Sequence, residues 1–188
     1  GLISDGSVDY VYDDNGLVDW RKMVKEEFLV ANKQKTKESD ISKLEDKDLL
    51  ILLGGIKNLA QIRGFNSVEY IVHAAAPDYV MASCRTSWVP NFETEGKEVV
   101  FEAMADASLS NTKSFARNFL AAIAENRAFV RCVRNFLRIN VVGSDEMGDA
   151  NLFTESNESA SCAASADPHS LLSSVMKEKN VSFDDLNK

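Results

Sequence analysis

Residues 112–139, TKSFARNFLAAIAENRAFVRCVRNFLRI, follow a helical period and constrain the fold more than any other stretch of the sequence. At 100° per residue, six apolar side chains fall on one face and two more lie at its margin. Such a stripe is typical of a helix that packs on a core, and Asn111 or Thr112 is its expected N-cap. The six core-facing residues are Phe115, Phe119, Ile123, Val130, Val133 and Leu137, and the two at the margin are Phe129 and Phe136.

The same segment carries a second stripe, which is basic. Arg127, Arg131, Arg134 and Arg138, here called the arginine ridge, follow a helical spacing and fall within roughly 60° of one another. Because like charges repel, a helix that keeps four of them on one side usually has an anionic partner within reach. The alternative is a solvated face with cations near the helix C-terminus, where the helix dipole favours them.

Three β-rich runs precede this helix, at residues 67–76, 79–89 and 97–108, and short turns separate them. Connections of this length predict an antiparallel meander. In the third run one parity is apolar and the other mostly polar, so one face packs on a core and the other meets water. The apolar parity is Val99, Phe101, Ala103 and Ala105, and the other is Glu98, Val100, Glu102, Met104 and Asp106.

A further helix is predicted before the strands. Ser42 and Glu45 match an S-x-x-E capping box, and Gly64 is a natural stop. Gly54 and Gly55 inside this helix predict close packing against another backbone, because each costs about 1 kcal/mol relative to alanine. The apolar residues at helical spacing are Leu49, Leu52, Leu53, Ile56 and Leu59. The order helix, three strands, long helix predicts an α+β fold.

The chain has 188 residues and 45% hydrophobic content, which is enough for one good core. Its formal charge of −8 divides into −4 for residues 1–50, +2 for residues 51–143 and −6 for residues 144–188. The middle is therefore basic and the ends are acidic. An acidic tail beside a basic middle can compete with nucleic acid for the same surface.

The two ends of the chain are predicted to be less regular than the middle. Residues 1–41 predict an N-terminal arm that wraps onto its own domain or onto a neighbouring subunit, and residues 42–143 form the predicted domain. Residues 144–168 predict a flexible acidic linker, because they hold few large apolar side chains. Residues 169–188 recover a short amphipathic pattern and predict a helical segment that binds a partner.

The sequence holds no motif for a cofactor, a metal or a nucleophile. The three cysteines are far apart and the two histidines lack metal-ligand spacing, which predicts a reduced cytosolic protein without structural zinc. The apolar runs are too short to cross a bilayer, and the N-terminus lacks the pattern of a signal peptide. We therefore expect no catalytic activity, no cofactor, no metal and no membrane partner.

One catalytic alternative stays open. Asp78, followed by Glu95 and Lys97, resembles the spacing in restriction-endonuclease-like nucleases, whose carboxylates converge on a divalent ion beside a lysine. A second acidic row, which a solvated strand face explains better than a metal site, is formed by Glu98, Glu102 and Asp106. A non-enzymatic adaptor that binds protein through its acidic tail is another alternative.

The basic residues favour phosphate binding. A planar guanidinium donates forked hydrogen bonds and stays charged, so the arginine ridge suits a phosphate backbone. If the fold brings them together, three more cations extend the ridge into a groove, namely Arg85, Lys97 and Lys113. Candidate base-stacking residues, most of which core packing also explains, are Trp88, Phe92 and Tyr79.

Residues 124–139, AENRAFVRCVRNFLRI, preceded by three strands, resemble the signature of the Rad52 family of single-strand annealing proteins, especially its phage and bacterial members. In those relatives an alanine, an acid and spaced arginines lie in the helix that ends a βββα unit. The residues that match this pattern are Ala124, Glu125, Arg127, Arg131 and Arg134. The resemblance covers residues 42–143, the predicted domain.

The resemblance implies binding of single-stranded DNA and annealing of complementary strands in homologous recombination and DNA repair. It also implies a ring-shaped homo-oligomer in the cytoplasm of a bacterium or of a phage-infected host cell. By the resemblance, Arg131 and Arg134 are the first expected phosphate contacts, followed by Arg127 and Arg138 and then by Arg85 on the hairpin. We expect the C-terminal segment to contact a single-stranded-DNA-binding or replication protein.

Overall fold

A three-stranded antiparallel sheet with a long helix on one face forms the centre of the structure. The computed structural model describes residue 3 and residues 5–147. In chain order its elements are β1 (Leu29–Ala31), β2 (Leu49–Ile51), α1 (Leu53–Arg63), β3 (Phe65–Ala76), β4 (Tyr79–Trp88), β5 (Val99–Ser108), α2 (Leu120–Phe136) and β6 (Val142–Gly143). The predicted α+β class is confirmed, as is the order of meander and long helix.

The strands β3, β4 and β5 lie side by side in that order and form the predicted meander. β4 and β5 pair without irregularity along their whole length. α2 covers one face of the sheet, and we call the other the open face. The predicted alternation on β5 is confirmed, because Ala103 and Ala105 are buried while Glu102 and Met104, which alternate with them, are exposed.

The long helix begins later than its sequence predicts. A 3-10 helix occupies Ser114–Phe119, and α2 starts at Leu120 with Phe119 as its N-cap. Neither Asn111 nor Thr112 caps the α-helix, so that prediction was wrong. A 3-10 helix turns every 3.0 residues instead of 3.6, and side chains before Leu120 therefore point in other directions than an α-helix would give them.

The apolar stripe of this segment is confirmed only where the chain is α-helical. Val130, Val133 and Leu137 are buried against the sheet and the smaller elements. Phe115 and Phe119, which precede α2, are 85% and 57% exposed. Their predicted place on the core face was wrong, because the 3-10 helix breaks the period that relates them to Val130.

Aromatic rings and a buried arginine join α1 to the rest of the core. Trp88 at the end of β4 is fully buried and stacks on Phe136 of α2, with ring centroids 4.3 Å apart. Arg63 at the end of α1 is also fully buried, and its guanidinium lies over both rings. Arg63 Nη1 donates to the Val89 carbonyl oxygen at 2.8 Å, and Arg63 Nε lies 3.5 Å from Glu93 Oε2. The charge is therefore held by π faces, a carbonyl and a carboxylate.

α1 is shorter than predicted, because it begins at Leu53 and not at Ser42. Two 3-10 turns and β2 precede it. Asp40 Oδ1 accepts hydrogen bonds from the N–H and the hydroxyl of Ser42, so Ser42 belongs to a local turn. The predicted stop is confirmed: Gly64 has a φ of 81°, and its N–H donates to the Ala60 carbonyl oxygen.

A second, smaller sheet was not predicted. β2 lies at its centre, antiparallel to β1 and parallel to β6. Leu50 stands opposite Val142, so this sheet joins the N-terminal third of the chain to the segment after α2. Strands of two or three residues are too short to show a period-2 pattern in the sequence.

The N-terminal arm covers its own chain. Val18, Trp20 and Val24 are buried in the same core as Leu49 and Trp88. Of the two predicted alternatives, packing on the arm's own domain is therefore the one that these residues follow.

The C-terminal predictions lie mostly outside the described residues. The predicted linker is described only as far as Met147, with a 3-10 turn at Ser144–Glu146. The predicted C-terminal helical segment, residues 169–188, is wholly outside. In the part of the chain that the structure describes, no helix has the length and hydropathy to cross a bilayer.

Candidate nucleic-acid interface

Two members of the arginine ridge, Arg127 and Arg131, lie beside the outer edge of β5, which has no strand partner among the described residues. Arg131 Nη1 donates to the Met104 carbonyl oxygen and Arg127 Nη1 to that of Asp106, both at 2.8 Å. A sheet edge exposes unpaired carbonyls and N–H groups that favour pairing with another strand. The two guanidinium groups cap this edge, which is a structural role that the helical spacing did not predict.

Arg127 is the most enclosed member of the ridge and is 7% exposed. Its Nε donates to the Asp145 carbonyl oxygen at 2.7 Å, and its terminal nitrogens also bond to both oxygens of Asn111. Four of the five N–H groups of this guanidinium thus have partners. Burial lowers the pKa of Arg127, and the neighbouring Asp106 and Asp145 carboxylates oppose that shift. Arg127 therefore ties α2 to the turn after β5 and to the segment after β6.

Among the described residues, Glu146 is the anionic partner of the arginine ridge. Its carboxylate is 4% exposed and accepts hydrogen bonds from Arg134 Nε at 2.7 Å and Arg131 Nε at 3.2 Å. The Gly143 N–H donates to the same carboxylate at 3.0 Å. The sequence analysis missed this ion pair, because it depends on how the chain after α2 folds back over the helix.

Arg131 and Arg138 keep donors available at the surface. The Arg131 side chain is 42% exposed, and three of its five N–H groups have no acceptor among the described residues. Arg138 is exposed, and its guanidinium makes no hydrogen bond to the described chain. Arg138 follows the end of α2 and has a left-handed backbone, with a φ of 56°, so it departs from the predicted helical spacing of the ridge. It lines a cleft of about 390 Å³ together with Arg21 and the acidic residues Asp13, Asp19 and Glu93. Arg131 can therefore hold an external anion, whereas Arg138 already lies among carboxylates.

Of the three further cations, only Lys113 lies near the ridge. It is exposed and stands two residues after Asn111, which Arg127 holds. Arg85 is on the open face, where the strand register places it between Glu69 and Glu102. The exposed Lys97 is on the β4–β5 loop and pairs with Glu95 at 3.0 Å. The groove that would unite all three with the ridge does not form.

The aromatic candidates have different places in the fold. Trp88 is fully buried, Tyr79 is half-buried, and Phe92 is exposed on the β4–β5 loop. Phe115 and Phe119, the most exposed phenylalanines in the described part of the chain, were missed because the predicted helical period assigned them to the core. In the sequence, only a break in the helical period between these two residues and α2 could have indicated that they are exposed.

The residues of the nuclease alternative lie far apart. Asp78 is in the β3–β4 turn, whereas Glu95 and Lys97 are in the β4–β5 loop. These connections are at opposite ends of β4, and ten residues of strand span about 33 Å. Among the described residues, no group of three or more histidine, cysteine or acidic side chains is placed to hold a metal ion.

The acidic row on β5 lies on the open face of the sheet, as expected if it is a solvated strand face. Glu98 and Glu102 are exposed, and Asp106 accepts a hydrogen bond from Asn111 Nδ2 at 2.9 Å. No protein-family model, no curated protein and no solved structure matches this chain.

Proposed function

We propose that this chain binds single-stranded DNA along the arginine ridge and anneals complementary strands as a homo-oligomer. One observation carries the proposal. The residues that resemble the Rad52 signature, from Ala124 to Arg134, lie on the helix that follows a three-stranded meander and packs on it. The resemblance implies this βββα arrangement, and the sequence of the strands alone did not require the helix to cover them.

The contacts divide the ridge into two groups with different roles. Arg127 and Arg134 hold the β5 edge and Glu146, and they position the helix. Arg131 also bonds to the β5 edge and to Glu146, but three of its N–H groups remain for phosphate oxygens, to which Arg138 and Lys113 offer donors as well. In the proposed mechanism these cations hold the backbone of one strand while its bases stay accessible to a complementary strand. No chemical step is needed.

The first test is fluorescence anisotropy of a labelled single-stranded oligonucleotide at several salt concentrations, followed by addition of the complementary strand. We expect affinity to fall steeply with salt, and annealing to be faster with protein than without it. Arg131→Gln should weaken binding and reduce the slope of log K against log salt by about 0.7, the value for one single-strand phosphate contact.

Arg85→Gln is the matched control, because Arg85 is exposed on the open face between two glutamates. It should leave affinity unchanged. If Arg131→Gln binds as wild type does, the site assignment is wrong. If the wild-type protein has no affinity for single strands, the adaptor alternative gains support, and cleavage of DNA with magnesium would overturn the proposal in favour of a nuclease.

The sheet offers a surface for the proposed oligomer. The long edge strand β3 has no partner on its outer side among the described residues, whereas arginines cap the outer edge of β5. Tyr70, Ile71 and Val72 on β3 are between 41% and 60% exposed, which is unusual for three consecutive apolar residues. Static light scattering should give a mass of several chains, and a strict monomer at micromolar concentration would contradict the oligomer.

A further inference from the structure

Phe115 and Phe119 are large apolar side chains left in solvent. They belong to the 3-10 helix Ser114–Phe119, just before α2, and are 85% and 57% exposed. Burying a phenylalanine side chain is normally favourable in proportion to the apolar area removed from water. Two neighbouring rings that forgo this stabilisation form an apolar surface that a partner can cover.

The charges around the two rings favour an anionic partner. Residues 107–124 contain no aspartate or glutamate, although the whole chain has 29 acidic residues. The same stretch contains Lys113, which is exposed, and Arg117, which is half-exposed and uses its Nε to bond the Thr112 carbonyl oxygen at 3.2 Å. The rings are thus flanked by cations and free of nearby carboxylates in sequence.

The rings lie just before the N-terminal end of the helix that carries the arginine ridge. Phe119 directly precedes the first residue of α2, and Arg131 lies twelve residues further along the same helix. A rise of 1.5 Å per residue places them about 18 Å apart along the helix axis. A single strand held by Arg131 and Lys113 would therefore reach the rings within a few nucleotides.

We propose that Phe115 and Phe119 form a stacking platform for the bases of single-stranded DNA, which rests on the proposed function. Aromatic rings beside a basic track are the recurring means by which proteins hold single strands without reading their sequence. The ring centroids are 6.4 Å apart and their planes differ by 49°. Because stacked bases rise by only about 3.4 Å, the platform receives two successive bases of an extended strand.

The test compares two oligonucleotides of equal length and charge, one with thymine bases and one abasic. Phosphate contacts contribute equally to the affinity for the two oligonucleotides, whereas stacking requires a base. We expect wild-type protein to bind the thymine strand more tightly. In Phe115→Leu/Phe119→Leu, which keeps apolar side chains but removes the rings, affinity for the thymine strand should fall about tenfold or more. Affinity for the abasic strand should stay the same.

Tyr12→Leu is the matched control, because Tyr12 is 53% exposed and lies against another ring, that of Tyr10, but belongs to the acidic N-terminal arm. It should bind both strands as wild type does. Phe115→Trp gives a direct readout, since a base stacked on the indole should quench its fluorescence and an abasic strand should not. The exposed sites tolerate these changes, and thermal melting checks that the variants stay folded.

Three results would overturn the platform. Equal affinity of wild-type protein for the thymine and abasic strands would reject the stacking platform but not the proposed function. A change in oligomer mass in the double variant, with the preference for thymine unchanged, would assign the rings to contacts between copies of the chain. Failure of wild-type protein to bind either strand would reject the proposed function, and the platform with it.

Discussion

At the scale of single residues, substitution of Arg127 tests whether the arginine ridge stabilises the fold. Replacing it with alanine removes four hydrogen bonds and leaves the carbonyl oxygens of Asp106, Asn111 and Asp145 without this donor. A buried acceptor that loses its donor typically costs about 1 to 3 kcal/mol, so the loss at several acceptors together should cost about 3 to 5 kcal/mol. We expect Arg127→Ala to lower the free energy of unfolding by this amount in urea titrations.

Arg138→Ala is the control for this prediction, because the Arg138 side chain is exposed and makes no hydrogen bond to the described chain. Its effect on stability should stay within about 0.5 kcal/mol. Equal stability losses for the two variants would show that exposure and hydrogen bonding do not separate the roles within the ridge.

Glu146 should give the protein a specific sensitivity to acid. Burial raises the pKa of this carboxylate, but hydrogen bonds from Arg134, Gly143 and Arg131 outweigh burial, so its pKa lies below the ordinary value. A group with a lowered folded pKa stabilises the protein above its ordinary pKa of about 4.3. That contribution is lost as the pH falls through the folded value.

The measurement is urea unfolding of wild type and Glu146→Gln between pH 7 and pH 3. We expect the stability difference between them to be largest near neutral pH and to shrink as the pH falls below about 4.3. A difference that stays constant over this range would mean that the Glu146 carboxylate does not supply the acid sensitivity.

At this scale the sequence predicted the side on which the arginines lie and missed what they bind. The spacing of Arg127, Arg131 and Arg134 follows from helix geometry, which is local. Glu146 reaches them only because the chain after α2 turns back, and a tertiary contact of that kind leaves no periodic signal. The sequence also predicted that a partner for the charges exists, but not that the chain supplies part of it.

Among the elements, α1 depends on the contact between its first turn and the turn before β1. A Cβ at Gly55 would lie 2.7 Å from Phe28 Cβ and 3.2 Å from Ile51 Cγ2. Alanine favours a helix over glycine by about 1 kcal/mol, whereas forced overpacking costs about 1 to 3 kcal/mol. Because this contact involves the rigid base of the Phe28 side chain, we expect Gly55→Ala to destabilise the protein in thermal melts.

Gly54→Ala should be milder. Its Cβ would meet only the Phe28 ring, with Cε1 at 2.9 Å, and a ring can rotate away more easily than a Cβ atom can. A Gly55→Ala variant that melts at a higher temperature than wild type would show that helix propensity outweighs the contact. The sequence predicted close packing at these glycines, but the neighbour is a side chain and not a backbone.

The predictability of the elements followed their length. β3, β4, β5 and α2 have ten or more residues each, so their hydrophobic periods stand out in the sequence. The start of α2 was wrong because the 3-10 helix Ser114–Phe119 carries the same apolar residue types as an α-helix would. The start of α1 was wrong because the leucines at 49 and 52 fit a helix as well as a short strand.

For the whole molecule, the uneven charge gives a prediction about DNA affinity. Residues 148–188 contain seven acidic and three basic residues. If this tail competes with DNA for the cations of the ridge, replacing its seven acids with the matching amides should raise single-strand affinity at low salt. The gain should vanish near 1 M salt, where charges are screened within about 3 Å.

The measurement is an anisotropy titration of wild type and of the tail variant at low salt and near 1 M salt. A control with the same number of acid-to-amide changes in residues 5–48, which carry the other acidic excess, separates local competition from net charge. Equal gains in the two variants would mean that only total charge matters.

The small sheet also determines the order in which the molecule can be completed. Leu50 pairs with Val142, so about two thirds of the described chain separates the two partners. Contacts of such high sequence separation form late, because the intervening loop must close first. At a synthesis rate of 5 to 20 residues per second, the ribosome needs about 5 to 20 s to pass from one partner to the other. During that time the small sheet lacks β6, its last strand. We therefore expect β2 and the arm that carries Trp20 to be most accessible to chaperones and proteases in this period.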